Sequence, residues 1–392
     1  MRTNLQAIAQ ARIDEAVRTL ETYAPLAPYV AIGESEDEKL RAAAVNAMLA
    51  RANIAPRREL LGNPFADHSA VQLARWCSER GGVDVTGRSD WEVVGQGFAN
   101  TTSDFPNLLA DVARKAMLRG FDASGETYPL WTVPGTLFDF KPTARAGLDS
   151  FPALDPVGDG SSFKHGTMGD RKETATLATY GKIFSVSRQA VIEDDLGAFT
   201  RLPMAAGRAA ARTAGDLAYA ALTGNPTMGD AIALFHASHS NLASPGTAIT
   251  TAAVDAIRAS MAGQVNNGIV TGIRLYALLV PLALEGTARA VANGQFFVGE
   301  GGALDAGRAN TAQGTFEVIA DHRLDVASPG AWYAVADPER FDTVELAYLG
   351  GDSQPRLDTQ SGFSQDGMKF KITFDVAATP LEYRTLAKNP GS

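Results

Sequence analysis

Tyr180–Pro226 reads YGKIFSVSRQAVIEDDLGAFTRLPMAAGRAAARTAGDLAYAALTGNP, and the rest of the chain can be read outward from it. Ile183, Phe184 and Val186 are β-prone, and Ser187 is an N-cap residue for a short helical turn, Arg188–Glu193. Asp194 and Asp195 then offer carboxylates to the positive end of a second helix. Pro203 is tolerated near a helix start, where its missing N–H has no intrahelical partner. From there roughly 20 residues run to Thr223 with no breaker stronger than a single glycine, a rod of about 30 Å. Arg201, Arg208, Arg212 and Asp216 recur at spacings of seven, four and four, which marks one polar stripe. Ala206, Ala209, Ala210, Leu217, Ala218 and Ala221 supply a thin apolar face that lets another element come close. Gly224-Asn225-Pro226 stops the helix. The reading predicts a spine.

The 392 residues are 45% hydrophobic and 20% charged, enough chain for two or three packed units. The 38 glycines favour hairpins and bends over a helical bundle. A net charge of −9 argues against sequence-independent duplex binding, which needs a basic surface. Cys77 stands alone, which excludes an internal disulfide framework and a thiolate-rich metal site. Apolar runs stay short of the ~18 residues of a membrane span, and Met1-Arg2-Thr3 leads into a polar helix rather than a signal peptide.

Taken in order, residues 4–22 carry Leu5, Ile8, Ile13, Val17 and Leu20 on roughly one helical face. Residues 35–52 form a second helix with Ser35 and Glu38 in capping-box spacing, after the Pro-broken connector APLAPYVAIG. Arg51, Arg57 and Arg58 make a small basic cluster, read as a solvated helix end. Residues 62–100 are Gly-rich with one short helix, HSAVQLARWCSERGG, and the whole of 1–100 reads as an arm or detachable leader. From Thr101 an amphipathic helix runs to Gly120. WTVPGTLFDFKPTARAG and TATLATYGKIFSVS then flank a long polar tip and are expected to pair as an extended hairpin.

After the spine, ALFHASHSNLASPGTAIT is loop-like, and Thr250 or Thr251 caps a helix, TTAAVDAIRASMAGQVN. IRLYALLVPLAL, EGTARAVANG (with Gly294 as C-cap) and FEVIADHRLD give a strand–helix–strand order and a small mixed α/β unit. AWYAVAD and TVELAYLGG are further strands. Met368–Val376 alternates Lys369, Lys371, Thr373 and Asp375 with five apolar residues, a strict period of two with a wet face and a face packed on the spine.

Residues with possible chemistry each have a plainer reading. His236 and His239, with His165 or His322, could supply zinc ligands, but an i, i+3 pair in a Ser/Asn loop lacks the helix-borne arrangement that fixes two ligands and a base. Cys77, beside Trp76 and near His68, reads as a buried thiol rather than a nucleophile. Asp194-Asp195 reads as capping, GDG (158–160) and GEGGALDAG as loops, and Lys164 and Lys172 as solvating charges. No catalytic constellation, cofactor site or metal site is expected.

SDFPNLLADVARKAML, the block FPALDPVGDGSSFKHGTMGD…ETATLATYGKIFSVSRQAVIEDDLGAFTRLPMAAGRAAAR, and IALFHASHSNL together resemble the tailed-phage major capsid protein. More narrowly they resemble the Mu-like major head subunit and its prohead-protease–capsid fusions, from about Thr101 to the C-terminus. The resemblance implies an α+β Hong Kong-type phage capsid fold: a peripheral domain with a spine helix and long strands, an axial domain, an extended hairpin loop and an N-terminal arm. It places a leader, possibly scaffold-like, at 1–100, an arm helix at 101–129 and the extended loop at 130–187. The spine then falls in 188–230, the axial domain in 231–335 and the returning peripheral strands in 336–392.

It further implies a non-enzymatic shell subunit that forms hexamers and pentamers with itself and encloses double-stranded DNA without reading its sequence. Portal, scaffold, maturation protease and decoration protein are the other implied partners; no membrane is. The place would be the virion, after assembly in the bacterial cytoplasm. Asp159, Phe163, Lys164, Asp170, Arg171 and Lys172 at the hairpin tip would contact neighbours, while Lys164 and Lys172 match a cross-linking lysine by position only. An encapsulin-like compartment shell and a metal hydrolase using His236 and His239 are the competing readings.

Overall fold

The computed structural model describes residues 35–99, 104–148, 170–193, 196–299, 303–361 and 367–391. The helix expected at 4–22, the Asp194-Asp195 pair and the hairpin tip with Asp159, Phe163, Lys164 and His165 lie outside these.

The spine is a 28-residue helix, Leu196–Thr223, so Pro203, expected near the helix start, falls in its third turn. Ser187 accepts from the Ala190 N–H and caps the short helix Arg188–Ile192 ahead of it. Beside the spine lies the arm helix, Phe105–Asp122, with Phe105, Leu108, Leu109, Val112, Ala116 and Met117 buried. The two cross where Gly120 faces the Met204 carbonyl and Gly207 faces the Met117 carbonyl; a Cβ on either glycine would collide with backbone. Close approach therefore depends on these two glycines as much as on the alanines. Of the apolar face read from sequence, Ala210 and Ala218 are buried, whereas Ala209 is exposed, because the helix is rotated to bury Ala211, Ala214, Tyr219 and Leu222 instead.

Both helices cover one face of a five-stranded sheet built on Gly367–Pro380, a 14-residue strand. Ala178–Ser187 lines one edge of it; Val344–Leu349 and Arg356–Ser361 line successive halves of the other. Thr132–Leu137 adds itself parallel to Val344–Leu349. Phe370, Ile372, Phe374 and Val376 point to the helices as the period-two pattern predicts, and Phe184 stacks on Phe370 at 5.1 Å. Asp375, expected on the wet face, is 8% exposed: Arg356 pairs with it and Thr179 donates to it.

A four-stranded sheet forms the second unit, in the order Glu317–Ala320, Leu275–Val280, Trp332–Ala336, Leu386–Asn389. Its first two strands are parallel, joined through helix Glu285–Asn293, which is the predicted strand–helix–strand. The last strand corrects the assignment of 336–392 to the peripheral unit: Leu386–Asn389 crosses back to pair with Trp332–Val335. Trp332–Ala336 is buried at all five positions, so an uncovered edge there would strand its backbone groups. GEGGALDAG is likewise not all loop, since Leu304–Ala309 pairs with Phe296–Val298. The spine's C-terminal half (Ala214, Tyr219, Leu222) shares one core with both sheets.

The segment before the arm helix departs furthest from the leader expected. Ser35 and Glu38 close a reciprocal capping box on helix Glu36–Arg51, Ser69 and Gln72 do the same on Ala70–Arg80, and a further helix spans Asp90–Ala99. Their buried residues, among them Met48, Leu73 and Val94, share a core with Leu108, Phe199 and Phe370. The apolar area these helices bury comes from partners up to some 300 positions away, so residues 36–99 are docked rather than detachable.

Candidate assembly surfaces

The expected hairpin is narrower than its sequence frame. Only Thr143–Leu148 and Asp170–Ala175 pair with each other, while the outer runs Thr132–Leu137 and Ala178–Ser187 belong to the large sheet. Asp170 and Arg171 stand opposite Leu148 and Gly147, and Lys172 is exposed opposite Ala146.

Two contacts fix the root of this hairpin. Both carboxylate oxygens of Glu173 accept from the Gly229 N–H, at 3.0 and 3.1 Å, and a Cβ on Gly229 would strike the Lys172 carbonyl. On the other strand Arg145 grips Glu345 at two points, Nη2–Oε1 2.6 Å and Nε–Oε2 2.8 Å, and donates to the Thr136 carbonyl at 2.7 Å. Burial pushes the Glu345 carboxyl up from its ordinary value, and Arg145 only partly opposes this. A carboxyl with a raised folded pKa adds stability that is complete below the ordinary glutamate value of 4.5 and is lost as pH rises through the folded value. The unfolding free energy of wild type minus that of Glu345→Gln, followed by urea titration from pH 4 upward, should therefore fall as pH rises. A growing difference would show that Arg145 dominates.

The stripe Arg201, Arg208 and Arg212 is exposed along the spine, and none of the three has an ion pair among the described residues. Asp216 differs: it takes Arg323 Nε at 2.6 Å. Arg323 also meets Glu126 at 2.9 Å and Asp321 at 3.2 Å, and donates to the Arg212 carbonyl at 3.2 Å. One guanidinium thus ties the spine to the start of helix His322–Ala327 and to the loop before Thr132. Burial opposes its charge, but the three carboxylates outweigh that and hold it more firmly protonated than usual.

Beyond the stripe, on the flank facing away from the arm helix, an apolar groove of about 400 Å³ separates the spine from strand Ala178–Ser187. Leu202, Ala206 and Ala209 form one wall, Ile183 and Phe184 the other, and Phe374 part of the floor. Ile183 is 69% and Leu202 47% exposed.

The histidines serve the fold. His239 is buried; its Nδ1 meets the Leu234 carbonyl at 3.1 Å, its Nε2 meets Asp230 Oδ2 at 2.8 Å, and its ring stacks on Tyr383 at 3.8 Å. His236 Nδ1 accepts from the Ser238 N–H at 3.1 Å, and His322 lies elsewhere beside Asp321. With both His239 nitrogens engaged inside the loop, the pair does not present itself as a ligand set, and no group of three His, Cys, Asp or Glu suited to a metal occurs among the described residues. Burial pushes the Cys77 thiol up to about 12, the opposite of what a thiolate nucleophile requires. Arg51 turns inward to the His68 carbonyl and Arg57 to Asn53, so the basic cluster is split.

Among known proteins, the family described as phage capsid protein matches residues 171–389, more than half of the chain. None of the curated proteins matches. Solved structures give loose likenesses. The capsid of Myoviridae phage XM1 is 12% identical with a TM-score of 0.44, covering 67% of this chain and 90% of that one. Microbacterium phage Oxtober96 is 9% identical with a TM-score of 0.42 over the same shares, 67% and 90%. A virus-like particle from Pyrococcus furiosus is 10% identical with a TM-score of 0.38, covering 70% and 97%. The family match falls on the hairpin's return strand, the spine and both sheets, and by it the chain belongs to the phage capsid protein family.

Proposed function

We propose that this chain is the major head subunit of a tailed phage, of the Mu-like branch, and that it assembles with itself as hexamers and pentamers into a closed icosahedral shell around double-stranded DNA. The family match over 171–389 supports the capsid part of this reading; the branch rests on the sequence resemblance of the block around Tyr180–Arg212. The geometry supports it: a hairpin with a root clamped at Glu173 and Arg145 can project its distal end without disturbing the body that holds it. Asp159, Phe163, Lys164, Asp170, Arg171 and Lys172 are the residues this reading puts against a neighbouring subunit. Many individually weak contacts of this kind sum over a shell by multivalency. An acidic chain, −9 in net charge, suits a container that must release its DNA. Scaffold, portal and maturation protease would act during assembly, and a decoration protein could bind the finished shell.

Sedimentation and negative-stain microscopy of the purified chain test the proposal. Closed shells, rings of five or six, or curved sheets are expected, and shortening the hairpin between Leu148 and Asp170 should abolish them while leaving a folded subunit. A chain that stays monomeric or dimeric in every condition, with scaffold supplied, overturns it.

A further inference from the structure

The groove between the spine and strand Ala178–Ser187 is an unfilled position in the helix layer. The arm helix covers one flank of the spine through Gly120 and Gly207; on the other flank Leu202, Ala206 and Ala209 face open space above Phe374. Strand Ala178–Ser187 bounds that space and pairs only with Gly367–Val376, so its outer edge is unpaired among the described residues. Long exposed apolar edges are seldom left bare in soluble proteins. We propose that the groove is the seat of the chain's own residues 4–22, lying as a third helix alongside the spine.

Three observations point to that occupant. First, apolar character: Leu5, Ile8, Ile13, Val17 and Leu20 give residues 4–22 one apolar face, and their 19 residues as a helix would span about 28 Å, within the about 42 Å of the 28-residue spine. Second, charge: Lys182 lines the groove on the strand side, and Arg201, Arg208 and Arg212 are exposed on the same helix as its wall residues Leu202, Ala206 and Ala209, in a chain that is otherwise acidic. Asp14, Glu15 and Glu21 lie off the apolar face of 4–22 and outnumber Arg12 and Arg18 of the same stretch, so the segment would bring a net negative charge to these cations.

Third, reach. The described chain begins at Ser35, which caps a helix held on the arm helix by Arg41–Asp111. Residues 23–34 can extend over about 40 Å. Crossing the arm helix and the spine requires about two helix diameters, or ~20–24 Å. A tether of that length holds the segment at a millimolar effective concentration, which favours the same copy over a second one. The inference does not depend on shell formation, since it concerns the isolated subunit.

Cysteine pairing tests it in the full chain. Ala209→Cys, at an exposed position on the groove wall, is combined in turn with Leu5→Cys, Ile8→Cys, Ile13→Cys, Val17→Cys and Leu20→Cys. Asp14→Cys, Glu15→Cys and Glu21→Cys serve as off-face controls. Cys77 is buried and its thiol is held protonated, so it stays silent. Under mild oxidation at least one apolar position should form an intramolecular disulfide tenfold faster than every control, at a rate independent of chain concentration. Adding Ile183→Glu, a change at a position already 69% exposed, should slow that reaction at least fivefold. Equal rates at apolar and acidic positions, no cross-link, or cross-links only between chains would overturn the assignment.

Discussion

Gly207→Ala is expected to lower the stability of the subunit by about 2 kcal/mol, although the same substitution inside most helices is favourable. Alanine in place of a mid-helix glycine gains roughly 1 kcal/mol from propensity alone. Against this, the new methyl would enter the space of the Met117 carbonyl on the arm helix, and a backbone carbonyl cannot swing aside as a side-chain tip can. Overpacking of this kind costs about 1–3 kcal/mol, and a clash with arm-helix backbone alone, at Met117 and Phe121, puts the site at the top of that range. Gly120→Ala meets the Met204 carbonyl and should behave alike.

The double substitution should cost less than the sum, because one separation of the two helices relieves both clashes. Gly286→Ala is the control. Gly286 lies in helix Glu285–Asn293 with nothing within 4 Å of a Cβ, so propensity acts alone and stability should rise by up to ~1 kcal/mol. Urea midpoints read from the arm and spine settle the matter: Gly207→Ala at or above wild type would mean the helices do not cross this closely. Gly207→Val should leave no folded arm–spine pair at all.

How far such features could be read from sequence depends on how local their causes are. The spine, the Ser35 and Ser69 boxes, the Ser187 and Thr250 caps and the alternation of Met368–Phe374 rest on residues within a few positions of one another, and each stands where its local chemistry puts it. The docking of residues 36–99 does not. Met48 and Val94 find their core against Phe199 and Phe370, and nothing near Val94 in sequence announces those partners. Helix Asp90–Ala99 contains two glycines and reads weakly on propensity; Val93 and Val94, fully buried, hold it.

The same distinction divides the assembly surfaces. The hairpin was legible from its polar tip, but not its limits, because the flanking runs pair with strands near 344 and 376 rather than with each other. The Arg201–Arg212 stripe followed from spacing; the groove beside it needs residues 183, 206 and 374 together, and Ala209 changes role from core to wall once the helix is rotated against the sheet. Asp375 shows the limit of periodicity: a carboxylate at a wet-face position is buried when Arg356 and Thr179 arrive from other strands.

A larger loss than that of Gly207→Ala is expected at a residue no motif marks, Arg323. Its side chain is only 10% exposed, and two of its partners, Asp321 and Glu126, are 4% and 14% exposed. Arg323→Met preserves much of the volume but leaves those carboxylates without a counter-charge, and breaking a buried pair from one side costs about 3–5 kcal/mol. The partners should then differ by burial. Adding Glu126→Gln to Arg323→Met should restore roughly 1–2 kcal/mol, since it removes a charge that has lost its compensation. Adding Asp216→Asn should restore less than about 0.5 kcal/mol, because Asp216 is 59% exposed and water already screens it.

Equal recovery from the two would mean that the cluster acts as a surface network and not as a buried clamp. The consequence for assembly follows from position. Arg323 joins the spine, through Asp216 and the Arg212 carbonyl, to the helix that begins just after the parallel strand Glu317–Ala320. With the clamp gone, the smaller sheet loses a fixed bearing on the spine. Chains of Arg323→Met that remain folded should therefore close into shells less often than wild type, with more open or irregular sheets in the same micrographs. Wild-type shell yield from a destabilised Arg323→Met subunit would separate the clamp's role in stability from any role in setting curvature.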